Sequence, residues 1–186
     1  AASNAISHAK SVHVSGSITA TGVPLNLDLD LVSGKGGRGQ VSIGGQTFRL
    51  LEVANAVYLY GSAAFWRQHG GAAAASKING RWVKAPATGS FASLATLTNM
   101  QQLMASILLN HGSLAKGSTT TVNGRQVIAV TDKSQGGTLY VATTGPPYPV
   151  QIKRRGTSTA QITFDRYNQP VSLTPPANSL DITQLR

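Results

Sequence analysis

The chain has 186 residues, 41% hydrophobic and only 12% charged, with 16 Lys and Arg against 6 Asp and Glu for a formal net charge of +10. Such a length suits one domain spanning residues 1–186, with a sizeable core. The absence of cysteine excludes disulfides, thiolate catalysis and cysteine-held metals, and no apolar run reaches the ~20 residues of a membrane-spanning helix. The positive excess favours anionic neighbours: phospholipid headgroups, cell-surface polymers or nucleic acid.

In chain order, "AASNAISHAK" reads as a short helix with Ala2, Ala5, Ile6 and Ala9 on one side. It has neither the charged start nor the apolar stretch of a secretory signal, so any such segment is expected to have been removed. "SVHVSGSITA" alternates, and "LNLDLDL" is the clearest strand: Leu25, Leu27, Leu29 and Leu31 face one way, Asn26, Asp28 and Asp30 the other. "QVSI", "QTFRLLEV" and "NAVYLYG" follow as strands between glycine turns. "SAAFWRQHGGAAAASKI" reads as helical turns or a loop broken at Gly70–Gly71, Asn79–Gly80 as a hairpin turn or the end of those turns, and "RWVKA" as a strand. From Phe91 the period becomes helical: Leu94, Leu97, Leu103, Met104, Ile107 and Leu108 form one stripe ended by His111–Gly112. Strands then return in "STTTV", "RQVIAVTD", "TLYVAT", "YPVQIKRR", "STAQITFDRY" and "QPVSLTPP". The result is an α+β, mainly β chain: about ten strands, short turn-like connections and hence antiparallel pairing. A sheet that large must curl or split, and closing it over the central helices buries their stripe.

Sites of chemistry are sparse. "SGKGGRG" lacks the Ser or Thr and the helix of a phosphate-binding loop and reads as a hairpin turn. His8, His13, His69 and His111 show no i, i+4 pair and no carboxylate close in sequence, so no metal or other cofactor is expected. No G-x-S-x-G elbow occurs, and Asp28 and Asp30 read as solvated, so no catalysis is expected. The basic residues are spread along the chain without an accompanying aromatic RNA-binding motif, so nucleic acid is not an expected partner. Lys153, Arg154 and Arg155 are the densest basic cluster. Two readings apply to it: a solvated strand end, or a contact for lipid headgroups or an anionic membrane.

The run "VYLYG", then "AFW", a small-residue stretch and "NGRWVK", followed by "VNGRQVIAVTD…GGTLYVATTGPPYPVQIKRR…ITFDRYNQPVSLTPP", resembles bacterial lipoproteins of the LppX/LprG type, which share the LolA-like fold. The likeness covers residues 11–176. It implies a large curved antiparallel half-barrel wrapped around a few helices, with an apolar cavity for the acyl chains of a lipid or glycolipid. It also implies an exported monomer at the outer face of the cytoplasmic membrane, tethered by a lipidated cysteine upstream of residue 1. The implied function is carriage or transfer of lipid at the cell envelope. The alternative is a non-catalytic envelope sensor whose hollow is filled by side chains. On this reading Leu27 and Leu29 face the hollow, and Leu94, Leu97, Leu103 and Ile107 contribute to its wall. Tyr58, Tyr60, Phe65, Trp66 and Trp82 rim its entrance, with the Gly–Ala run as a flap. The other reading of these aromatics is a core that pins the helical segment to the sheet.

Overall fold

Alternation of inward and outward side chains, clearest in "LNLDLDL", underlies the first strands of the computed structural model, which describes residues 1–20, 22–108, 111–134, 136–156 and 158–185. A short helix α1 (Ala2–Ser7) precedes β1 (Ser11–Ala20), β2 (Val23–Val32), β3 (Gly36–Ile43), β4 (Gln46–Val53) and β5 (Ala56–Gly61). Helices α2 (Ala63–Ile78), α3 (Ala92–Thr98) and α4 (Met100–Leu108) occupy the middle, with β6 (Val83–Pro86) between α2 and α3. Then come β7 (Leu114–Val122), β8 (Arg125–Asp132), β9 (Thr138–Ala142), β10 (Pro149–Arg154), β11 (Thr159–Asp165) and the two-residue β12 (Leu180–Asp181).

Among the described residues these strands form one twelve-stranded sheet, ordered β12-β6-β5-β4-β3-β2-β1-β11-β10-β9-β8-β7. The pairing of β1 with β11, His13 opposite Asp165 and Thr19 opposite Thr159, joins an N-terminal arm (β2–β6) to a C-terminal arm (β7–β11). This is the expected large, curved, mainly antiparallel sheet around a few helices. Inward glycines help it coil. Gly16 and Gly39 have φ of +142° and +154°, and a Cβ on either would lie 2.0 Å from a carbonyl oxygen of the neighbouring strand, so only glycine permits that close approach.

The "SAAFWRQHGGAAAASKI" segment takes the helical of its two expected forms, broken at Gly71 (φ 80°, ψ 172°) as its glycine pair foretold; the Ser62 side chain caps its start by accepting from Phe65 N, and Asn79 ends it in the left-handed conformation. Two local expectations need correction. Pairing is not wholly antiparallel, because β12 runs parallel to β6. Finally, "QPVSLTPP" is not a strand. After β11 the chain leaves the sheet and crosses the outer face of the N-terminal arm to reach the far edge at β12. Its alternation seats Leu173 against the cluster of Leu51, Ala56 and Tyr58, which Trp82 also covers, yet prolines 170, 175 and 176 deny it ladder donors. The strap starts from a fixed point: Ser11 Oγ donates to Gln169 O (2.6 Å), and Tyr167 stacks on Tyr148 (4.1 Å) while its hydroxyl donates to Pro149 O. Burial pushes the Tyr167 phenol well above its ordinary value.

The main core lies inside the curve. Val12, Val14, Leu27, Leu29, Leu31, Val41, Phe48, Leu50, Ile162 and Phe164 from the sheet meet Trp66, Ile78, Met100, Leu103 and Met104 from the helices.

Candidate functional site

The helices do not cover the sheet evenly. α2 contacts β4 and β5, and α3 contacts β3 and β4, so the N-terminal arm carries both. Among the described residues, the ends of α1 and α4 are the helical parts that line the C-terminal arm. Between them and the sheet lies a cavity of about 570 Å³. Its outer wall is Ile128 and Val130 of β8, Leu139 and Val141 of β9 and Ile152 of β10; its inner wall is Ile107, Leu108 and the first residues of α1. Strand register explains the wall. Ile128 pairs with Val141, Val130 with Leu139 and Leu139 with Ile152, so all five side chains share the inner face. Val141 is buried, whereas the other four are only half-buried. Polar groups gather at one end, where His111, Lys116, Asp132 and Arg154 belong to the lining. The Asp132 carboxylate is engaged there, accepting from the backbone N–H of Gly112 (3.0 Å) and of Ser134 (2.8 Å).

The residues expected at the ligand site fall into three places. Ile107 lines the cavity. Leu27, Leu29 and Leu103 lie in the packed core of the N-terminal arm, with Leu29 fully buried, and Leu94 and Leu97 pack against it. Phe65 and Trp66 join that core too. Adjacent residues on a strand would point oppositely, but on helix α2 they lie about 100° apart and both reach inward. Phe65 packs on Phe48 (5.3 Å between centroids) and Trp66 meets Phe65 edge to face (5.0 Å). Among the described residues Trp66 Nε1 has no hydrogen-bond partner.

Tyr58, Tyr60 and Trp82 stand on the outer face. On β5, Val57 and Leu59 take the inner face, so alternation sends Tyr58 and Tyr60 outward. Tyr60 and Trp82 pack together (5.5 Å), with the Arg49 guanidinium over both rings at 5.7 and 5.3 Å. These three residues therefore do not rim the hollow. The basic cluster splits by the same rule: Arg154 lines the cavity, Lys153 shares the outward side of Gln151, and Arg155 is exposed beyond the strand end.

The sequence also concealed a polar tie across β11, β1 and β2. His13 Nδ1 lies 2.7 Å from Asp165 Oδ1 and Nε2 lies 3.0 Å from Asp28 Oδ1, while Arg166 reaches Asp30 at 3.1 Å. His13, with no carboxylate close in sequence, thus gains two through strand register. The tie lies on the outer face, away from the cavity. The wall residues Ile128, Val130, Leu139, Val141 and Ile152 were not singled out from sequence. Their signal was the period-two pattern of "RQVIAV" and "TLYVA", which marks a face without saying what covers it.

No protein-family model matches the chain, and no curated protein matches it by sequence. Solved structures do. LprF from Mycobacterium bovis superposes with a TM-score of 0.68 at 14% identity, over 95% of this chain and 94% of that one. The Mycobacterium tuberculosis lipoprotein LppX superposes with a TM-score of 0.57 at 17% identity, over 92% and 93%. The chain has the LppX/LprF-type fold, the architecture that its strand and turn pattern resembles.

Proposed function

We propose that this chain is an extracytoplasmic lipid-binding domain that holds the acyl part of a lipid or glycolipid beneath β8–β10 and carries or transfers it at the cell envelope, without catalysis. One observation carries this reading: five aliphatic side chains line the inner face of the C-terminal arm around a cavity of about 570 Å³, within the usual size range of a ligand pocket. The fold shared with LprF and LppX supports it. Moving a sixteen-carbon chain from water into such a cavity yields roughly 12 kcal/mol at ~0.8 kcal/mol per methylene. A bilayer offers the same gain, so exchange between the two is close to balanced and lipid can be both loaded and released. His111, Lys116 and Arg154 at the polar end of the cavity suit an anionic or hydroxylated headgroup. In this account the domain works as a monomer at the outer face of the cytoplasmic membrane, tethered through a lipidated cysteine upstream of residue 1.

The packed N-terminal arm favours a second reading, an envelope sensor whose hollow needs no ligand. Native mass spectrometry of protein purified from a lipid-rich host separates the two. A bound lipid mass is the expected result. A clean apo mass, with no uptake of added phospholipid or glycolipid, would leave the sensor.

A further inference from the structure

We propose that the end of the half-barrel that carries the polar part of the cavity lining is a docking surface for an anionic lipid bilayer, with Val23, Ile43 and Leu114 as its apolar contacts. Among the described residues these are the three exposed large hydrophobic side chains, at 49%, 44% and 50% exposure. Scattered exposed aliphatics need no explanation, but these share one place. Strand register brings Thr19, Thr159, Arg154, Thr138, Thr131 and Ala115 to the same end of the sheet. Val23 starts β2 there, Ile43 ends β3 there beside the Gly44–Gly45 turn, and Leu114 starts β7 there. All three also lie on the inner side. Ile43 pairs with Leu25, two residues along from Val23, on the face of Leu27 and Leu29, and Leu114 lines the cavity. They stand on the lip of the hollow, two on one arm and one on the other.

Charge at this end is one-sided. Arg67 on α2, Lys133 after β8, Arg155 after β10, and Lys116 and Arg154 in the cavity lining are gathered here. Of the 6 carboxylates in the chain, Asp30, Glu52 and Asp165 lie toward the opposite end, and Asp28 lies mid-strand on the outer face. Asp181 sits beside Lys84 at the β6 edge. Asp132 alone belongs to this end, and it is buried and held by backbone N–H groups. Basic residues around aliphatic prongs match an anionic headgroup layer over hydrocarbon. The match fits a bilayer better than a polyanion, which has no use for the aliphatic contacts. Docked this way, the polar end of the cavity faces the membrane. That use for loading rests on the proposed function; the docking itself does not.

The chain lacks cysteine, so single-cysteine variants accept an environment-sensitive dye cleanly. Labelled Ile43→Cys and Leu114→Cys should shift to the blue on phosphatidylcholine–phosphatidylglycerol vesicles and stay unchanged on pure phosphatidylcholine. Lys35→Cys, in the turn at the opposite end, should not respond. Each basic residue near an anionic surface strengthens binding about fivefold, so Lys133→Glu/Arg155→Glu should weaken vesicle binding by more than ~20-fold with melting unchanged. A dye that responds at position 35 and not at 43 or 114, or wild-type affinity in the doubly reversed variant, overturns the proposal. The two readings fail separately. Protein that retains lipid by native mass without a dye response sinks the docking surface alone. Protein that docks while retaining no lipid supports the docking surface and sinks the carrier.

Discussion

On the N-terminal arm, the inward residues of β2–β5 meet the helices. On the C-terminal arm, the inward residues of β8–β10 face an open cavity. The side chains are of one kind: Leu27, Leu29, Val41 and Leu50 against Ile128, Val130, Leu139 and Ile152. The outcomes differ because α2 and α3 lie across the first arm, while among the described residues the tips of α1 and α4 line the second. Apolar surface facing inward therefore marks a core or a binding site according to what the rest of the chain lays over it. One arm is packed and the other encloses a cavity.

The largest expected effect comes from placing a charge on each arm. Leu29→Asp buries a carboxylate without a partner and should abolish cooperative folding, a cost of several kcal/mol. Ile152→Asp, half-buried against the cavity, should leave a folded protein whose lipid uptake is lost. Circular dichroism melts and native mass spectra of the two read the contrast directly, and equal destabilisation would erase it.

Next come the tryptophans. Trp66→Ala removes a buried ring and should cost ~3–5 kcal/mol in denaturant unfolding. Trp66→Phe should cost far less, since it also removes an indole N–H that has no partner among the described residues. Trp82→Phe leaves Trp66 as the sole indole, and its emission should already be blue without ligand. Red emission that shifts on adding lipid would restore Trp66 to the rim of the hollow.

A smaller effect on stability, but a sharp one on binding, is expected from filling the cavity. Val130→Trp puts a ring into the space between β8 and α4 and should lower the bound lipid fraction at least tenfold, with the melting temperature within a few degrees of the parent. Ala105→Trp is its control. Ala105 lines an adjoining crevice of about 160 Å³ between α1 and α4, not the cavity itself, so its replacement should alter lipid binding less. The reverse order of the two would move the site away from the C-terminal arm.

Much of this architecture was legible in the sequence. Period two in "LNLDLDL" and glycine turns such as Asn123–Gly124, both with positive φ, set strand positions and antiparallel order, and the curved sheet follows from strand number. The outward placement of Tyr58 and Tyr60 was not legible. In "AVYLYG" both faces are apolar, because Leu173 of the strap covers the outer one. The strap itself imitates a strand through Val171 and Leu173, and prolines 170, 175 and 176 are the sign that it cannot pair as one. The cavity was the least visible feature: it depends on how α1 and α4 sit against the sheet, and Ile128 or Leu139 would read identically beneath a third helix.

The most direct test is to map where an acyl chain sits. A phospholipid with a photoactivatable group in its acyl chain, crosslinked to the purified protein and followed by peptide mass mapping, reports the arm that holds it. Adducts should fall on Ile107, Ile128–Val130, Leu139–Val141 and Ile152, and should disappear in Val130→Trp. Adducts on Phe65, Trp66 or Leu27–Leu31 would place the lipid on the arm that is packed here, and the account would be wrong.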